Sequence, residues 1–290
     1  MPVLAPIDTG SLEEVCRYWH THLNPRLAPE AWQRAFAQRW ITDAPHHGHM
    51  LRDGEGHVVG ALGGVFSRQL LGGVPRLVCN ISSWHVQSAH RSGSVALLLA
   101  LLAGPEPMVY TALTCRMDLV PLFERLGFRR LDPALGFLPA HPWPWGRTAT
   151  AMDGPPPTFL PESARRVWEH HAPWEHLHQV ALGDDAGWCH GIWRPGRQKR
   201  LAAARLLHLD HGGNGWPRLA RPLAAALHAH HGVGVVILPR CLAPWPRWLP
   251  WHEADSQPRL ALWPRQWLDP TGNAPAGLSL AYSELAALAL

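Results

Sequence analysis

Lysine is nearly absent from this chain: Lys199 stands alone, and arginines supply the other basic residues. Charged residues make up 17% of the 290 positions and the formal net charge is +4. No dense basic stripe with interleaved aromatics exists, so nucleic acid is not an expected partner. The weak positive field suits a phosphorylated ligand instead. The longest apolar run, Val95 to Ala103, is too short to cross a bilayer, so no membrane partner is expected. No basic segment followed by an apolar run opens the chain, which argues against a signal peptide. Cys16, Cys79, Cys115, Cys189 and Cys241 are odd in number and scattered. They make neither a disulfide framework nor a CxxC metal site. Reduced, mostly buried thiols imply a cytoplasmic protein. What the chain does have is 47% hydrophobic residues, enough for a proper core, and a length that suits two domains.

Histidines are plentiful, yet no metal site is expected from their spacing. His46, His47 and His49 lack an acidic or thiol partner at ligand spacing and read as a solvated loop. His170-His171, His176/His178 and His228/His230/His231 have unspecific spacing and read as solvated faces.

The stretch Ile81 to Leu102, ISSWHVQSAHRSGSVALLLALL, organises the rest. It begins as a strand, breaks into a polar loop and resumes as an apolar helix. Arg91, Ser92, Gly93 and Ser94 fall where that helix starts. A helix start offers unpartnered N–H groups and the positive end of a dipole, so this loop either wraps a phosphate or is an ordinary connection capped by Ser92 or Ser94.

Before it, Ser11-Leu12-Glu13-Glu14 reads as a capping box opening a helix to about His22. Pro29 opens a second helix, with Trp32, Phe36 and Trp40 on one apolar face. Asp53-Gly54-Glu55-Gly56 turns a hairpin between Met50–Arg52 and His57–Phe66. Gly60, Gly63 and Gly64 in the second strand mark a bulge or a close approach. Arg76 to Val86 is the next strand. After the helix, Gly104-Pro105 is a stop, Met108 to Thr114 a buried strand, Asp118 to Leu126 a short helix, and Phe128 the start of another strand.

Residues 139–161 are proline-dense and read as a stiff linker. The order of elements then repeats: helix, hairpin about Asp184-Asp185-Ala186-Gly187, strand, the loop His211 to Gly215, helix, strand. This is a repeat of elements, not of residues. Residues 242 to 276 look irregular and rich in Pro and Trp, and Leu278–Leu290 reads mainly as a strand.

These features resemble the GNAT superfamily of acyl-CoA-dependent N-acyltransferases over residues 8 to 135. The element order carries the resemblance, together with Val86 to Ala96, which is similar to the family's pyrophosphate loop, and Pro121-Leu122-Phe123-Glu124-Arg125-Leu126-Gly127-Phe128, which is similar to its segment ending in Leu-Gly-Phe. The resemblance implies an α/β fold with a mixed, mainly antiparallel twisted sheet flanked by helices. By element order the second half resembles a diverged second copy. The expected domains are 1–138 for acyl-CoA binding, the linker 139–161, and 162–290 as the degenerate copy.

By resemblance, the backbone at His85 and Val86 pairs with the pantetheine arm. Arg91, Ser92, Gly93, Ser94, Val95 and Ala96 hold the pyrophosphate of acetyl-CoA or another acyl-CoA. His85 is the expected general base, because imidazole titrates near neutrality, with Ser83 on its strand face; the alternative is a half-buried strand histidine. Glu55, His57 and a nucleophilic Cys115 are further candidates. Phe123 occupies the place where the family often carries a thiolate-protonating Tyr, Arg116 replaces a common Asn, and Ser94 and Ala96 take the motif's glycine positions. The expected activity is acyl transfer to an amine of a small molecule or amino sugar. The alternative is a catalytically degenerate protein that binds or senses acyl-CoA. Tryptophans at 143–145 and 245–267 line an acceptor cleft, stack on a sugar or pack the linker. The oligomeric state is left open.

Overall fold

Pro29 pre-sets the first turn of a helix, Gly104-Pro105 ends one, and Asp53 Oδ1 accepts from the amides of Glu55 and His57 to close a hairpin. Such local signals punctuate the elements of the chain. The computed structural model describes residues 2–37, 40–41, 43–142, 148–243, 245, 248–249, 252–254 and 257–288, with 252–254 as backbone alone. In order these are β1 (Val3–Pro6), α1 (Leu12–His22), α2 (Pro29–Phe36), β2 (Gly48–Arg52), β3 (Val58–Leu71) and β4 (Val74–Val86). A 3-10 turn, Ser88–Gly93, leads into α3 (Ser94–Leu102), β5 (Val109–Ala112), α4 (Val120–Arg125) and β6 (Arg129–Arg130). There follow β7 (Ala134–Pro139), β8 (Ala149–Met152), α5 (Glu162–His171), β9 (His178–Asp184), β10 (Gly187–Gln198) and β11 (Leu201–Gly213). The rest are α6 (Ala220–His231), β12 (Val235–Pro239), β13 (His252–Ala254), β14 (Leu260–Leu262) and α7 (Glu284–Ala287).

Two compact units result. The first gathers the described residues of 1–130, 259–276 and 282–290; the second those of 131–258 and 277–281. These boundaries differ from the division 1–138, 139–161 and 162–290 expected from sequence. The proline-dense segment is no simple linker, because β8 adds an edge strand beside β9. Nor does the chain after residue 258 stay with the second unit: β14 pairs with β5 and β6 in the first.

The first sheet runs β1-β2-β3-β4-β5-β14-β6, with β4 and β5 as its parallel pair. On it α3 buries Leu97, Leu98 and Leu101 against Leu62, Phe66, Cys79 and Ile81. The second sheet runs β13-β7-β12-β11-β10-β9-β8, and its parallel pair is β11 and β12. There α6 buries Leu223, Ala224, Ala226 and Leu227 against Val180, Leu182 and Leu206. In each unit an antiparallel run precedes a helical crossover to a parallel strand. These are α/β units with mixed, mainly antiparallel sheets flanked by helices.

Several local expectations are revised. Ser11 does not cap α1 through its side chain; its hydroxyl and amide pair with Asp8 Oδ1 at 2.6 and 2.8 Å. The loop histidines are not solvated. His46, His47 and His49 are half-buried, and burial lowers the pKa of each, that of His46 to about 4. In place of the strand expected at 278–290, the described residues 278–288 are irregular backbone and the short helix α7, with Ser283 Oγ accepting from the Leu285 amide at 3.1 Å.

The apolar face of Trp32, Phe36 and Trp40 is core as expected. Phe36 packs on Trp19 with ring centroids 4.7 Å apart, and its ring explains Gly63: a Cβ there would lie 2.5 Å from the Phe36 ring carbons. Gly63→Ala is therefore expected to lower stability by about 1–3 kcal/mol through overpacking. A fall in the urea midpoint at unchanged slope checks this; an unchanged midpoint would show that the ring simply moves aside.

Candidate active site

The site grows from two strands that part. β4 and β5 pair only over Val78–Asn80 and Val109–Thr111. Beyond those pairs the chain on each side lines a cavity of about 350 Å³. Ile81, Ser82, Ser83 and Trp84 form one wall; Ala112, Thr114, Cys115 and Arg116 form another. Trp32, Phe123 and Leu288 add apolar surface. A register shift against β3 between Ala61 and Gly63 bends β4 here, and Ser83 adopts a left-handed φ of 57°. Bulges re-aim side chains. This one brings both Ser83 and Trp84 to the cavity, where simple strand alternation puts them on opposite faces.

His85 is not among the residues lining the cavity. Its Nδ1 lies 2.8 Å from the Tyr18 hydroxyl, which also donates to the Val59 carbonyl, and its ring stacks on His22. Burial, with His22 and Arg91 nearby, lowers its pKa. The structure thus separates His85 from Ser83, the pair that sequence reasoning brought together. Cys115 does line the cavity, but burial and Asp118 push its thiol up to about 11, so little thiolate exists at neutral pH. Glu55 and His57 pair with each other on the hairpin, away from the cavity lining.

A carboxylate that sequence reasoning missed takes the central place. Glu284 lines the cavity and is 2% exposed. Thr114 Oγ1 donates to its Oε1 at 2.7 Å. Its Oε2 is buried without a hydrogen-bond partner. Burial pushes its pKa up to about 7, partly opposed by the Thr114 hydrogen bond. Asn80 anchors the segment: Oδ1 accepts from the Glu284 amide at 3.3 Å, and Nδ2 donates to Thr111 Oγ1 at 3.0 Å. A buried carboxylate at the cavity lining, raised to about 7 and with one oxygen that has no hydrogen-bond partner, is suited to taking a proton from a substrate. A single charged residue in the apolar stretch Leu278 to Leu288 was the signal available in the sequence.

The loop residues follow β4 in the chain but are not among those lining the cavity. Arg91 and Ser92 are exposed, Gly93 and Ser94 half-buried, Val95 and Ala96 exposed. The Ser94 amide donates to the Arg91 carbonyl, and no side chain caps α3, so neither Ser92 nor Ser94 plays the capping role. Gly93 permits close packing, since a Cβ there would lie 2.8 Å from Leu51 Cδ1. Phe123 is buried against Phe128 and Trp84. Trp143 and Trp145 lie outside the described residues, and the cavity tryptophans are Trp32 and Trp84.

Against solved structures the chain matches a GCN5-related N-acetyltransferase from Anabaena variabilis at TM-score 0.60 and 12% identity, covering 90% of this chain and 72% of the other. It matches a protein from Enterococcus faecalis described as a probable N-acyltransferase at TM-score 0.58 and 11% identity, with coverage of 90% and 72%. The fold is that of the GCN5-related N-acetyltransferases. A putative acetyltransferase from Pyrococcus horikoshii shares this GNAT fold along nearly its whole length, at TM-score 0.52 and 14% identity, covering 97% of this chain and 95% of that one. No protein-family model and no curated protein sequence matches. Within the GNAT fold seen here, the parted strands, the loop before α3 and Glu284 all belong to the first unit. No helix among the described residues is long and apolar enough to cross a membrane.

Proposed function

We propose that the first unit is an acyl-CoA-dependent N-acyltransferase, acting on a primary amine of a small molecule or amino sugar, and that the second unit is a diverged copy of the same fold. The observation that carries the reading is Glu284, its unpartnered Oε2 buried at the cavity between the parted strands. The acyl-CoA lies along β4, the pantetheine arm pairing with backbone near His85 and Val86. The pyrophosphate sits at the loop from Arg91 to Ala96, taking amides other than that of Ser94, which donates to the Arg91 carbonyl, with charge from Arg91.

An amine reaches this cavity as an ammonium ion and must lose a proton before it attacks. Glu284 Oε2 accepts that proton, directly or through a water. The nitrogen lone pair then adds to the thioester carbonyl carbon, and backbone N–H groups of bent β4 hold the oxyanion. Collapse of the adduct breaks the C–S bond and expels the CoA thiolate, while water takes the second proton from the former amine nitrogen and leaves the neutral amide. Phe123 has no proton to give, so water protonates the thiolate or it departs as the anion. Trp32, Trp84 and Phe123 keep bulk water from the thioester.

Phe123 also favours a second reading, a protein that binds acyl-CoA without turning it over. One assay separates the two. Acetyl-CoA at about 100 times its Kd is expected to stabilise the chain by about 2.7 kcal/mol, read as a rise in Tm that Arg91→Ala reduces. Thiol release with a panel of amines, amino sugars included, is expected above background. Binding without turnover selects the second reading; no Tm shift with any thioester overturns both.

A further inference from the structure

We propose that the second unit carries a divalent transition-metal site, of the Zn2+ class, built from Asp153, His178 and His231. These residues come from the turn after β8, the first position of β9 and the last of α6. Each offers one ligand atom, and the three atoms lie within 4.8 Å of one another. Two imidazoles and a carboxylate form an N/N/O donor set that suits Zn2+ over Ca2+ or Mg2+, which prefer oxygen alone. A tetrahedral Zn2+ with bonds of about 2.0–2.1 Å holds its ligands about 3.3 Å apart, so the cluster closes by an ångström or so. The fourth position is left to water.

The surroundings hold these donors in place. Asp153 Oδ1 accepts from the Gln179 amide at 2.7 Å, which leaves Oδ2 facing His178 Nδ1 at 3.1 Å. The Asp153 amide donates to the Gln179 carbonyl, so its backbone is tied to β9 as well. Asp153 and Gly154 both turn through left-handed φ values, and Trp168 Nε1 donates to the Gly154 carbonyl at 2.9 Å. Helix α6 ends at His231 because Gly232 caps it in the left-handed region. Trp193, 2% exposed, backs both imidazoles: His178 stacks on it at 4.7 Å and His231 meets its edge at 5.0 Å. A register shift in β10 between Ile192 and Trp193 aims that indole. A carboxylate fixed by a backbone amide and imidazoles oriented by a buried wall are the outer supports a metal site needs. An Asp–His ion pair accounts for His178 alone; it leaves unexplained why His231 closes the same group, its ring centroid 4.8 Å from that of His178.

The test uses the untagged full chain, stripped with a chelator and titrated with ZnCl2 by calorimetry, with CoCl2 absorption as a second readout. One Zn2+ per chain is expected with a Kd below about 1 µM. Asp153→Asn and His178→Gln are expected to weaken binding at least 100-fold, and His230→Gln, at an exposed neighbouring position, to leave it unchanged. Bound Co2+ is expected to give visible bands of a four-coordinate ion, lost in both ligand variants. Circular dichroism confirms that each variant is folded; should one fail to fold, His231→Gln takes its place. Absence of stoichiometric binding by the wild-type chain, or equal affinity in the ligand variants, overturns the proposal.

Discussion

Glu284→Gln is expected to reduce kcat for amine acylation about 10²–10⁴-fold, the usual contribution of a positioned general base, while the Kd for acyl-CoA stays unchanged. Gln keeps the shape and the hydrogen bond from Thr114 but accepts no proton. The wild-type rate is expected to rise with pH through about 7, where burial has brought the carboxyl, and the variant to lose that limb. Stability should move the other way. The folded-state pKa lies above the ordinary value of 4.5, so this group's contribution to stability is present below pH 4.5, falls as pH rises to about 7 and is fully lost above that. A shift of two to three units corresponds to about 3 kcal/mol. Glu284→Gln is therefore expected to hold or raise Tm at pH 8 while losing activity. Thr114→Val, which removes the hydrogen bond that lowers this pKa, should move the rising limb to higher pH. A variant that keeps full activity, or loses it together with its Tm, removes Glu284 from the mechanism.

The second unit is expected to unfold in mild acid. His171, His190 and His208 are buried; His208 opposes the charging of both others, and His171 that of His190. Burial lowers His171 and His208 to about 4 and His190 well below its ordinary 6.5. His190 Nδ1 and His208 Nε2 have no hydrogen-bond partner, so a proton placed there finds nothing to donate to. An unfolded histidine binds its proton near pH 6.5 and the folded one resists until about pH 4, so stability falls as pH drops through that window. Each of His171 and His208 accounts for about 3 kcal/mol, set against a total of roughly 5–15 kcal/mol for a domain. Urea midpoints at pH 8, 6.5, 5.5 and 4.5 are expected to fall with the slope of more than one proton, and His208→Asn to flatten it. A midpoint unchanged down to pH 4.5 would mean that these histidines are reached by water.

Much of the framework could be read from local signals because local chemistry fixes it. Pro29 starts α2, Asp53 closes the first hairpin, and Gly104-Pro105 follows the end of α3. The proposed base was hidden for a different reason. Thr114 and Asn80 stand 170 and 204 positions before Glu284, and no periodicity reports contacts that distant. The stretch Leu278 to Leu288 is buried almost throughout, and continuous burial reads equally as strand or helix. His85 was chosen for its intrinsic pKa; its true neighbours, Tyr18 and His22, come from α1. The bend in β4 at Ser83 likewise arises from pairing with β3, which single-strand alternation ignores.

The first unit is discontinuous in sequence, and that has a consequence for its synthesis. Domains fold as the chain emerges, at roughly 5–20 residues per second. Thr114 leaves the ribosome 170 positions ahead of its partner Glu284, so the cavity stands half-built for roughly 10–30 s. For most of that interval the far edge of β5 also lacks β14, an open edge of the kind that recruits stray strands. A nascent chain stalled at Pro258 would therefore present the loop before α3 without a base to work beside it, and would be a client for chaperones. Acyl transfer of the proposed kind begins only after translation has carried the chain past Glu284.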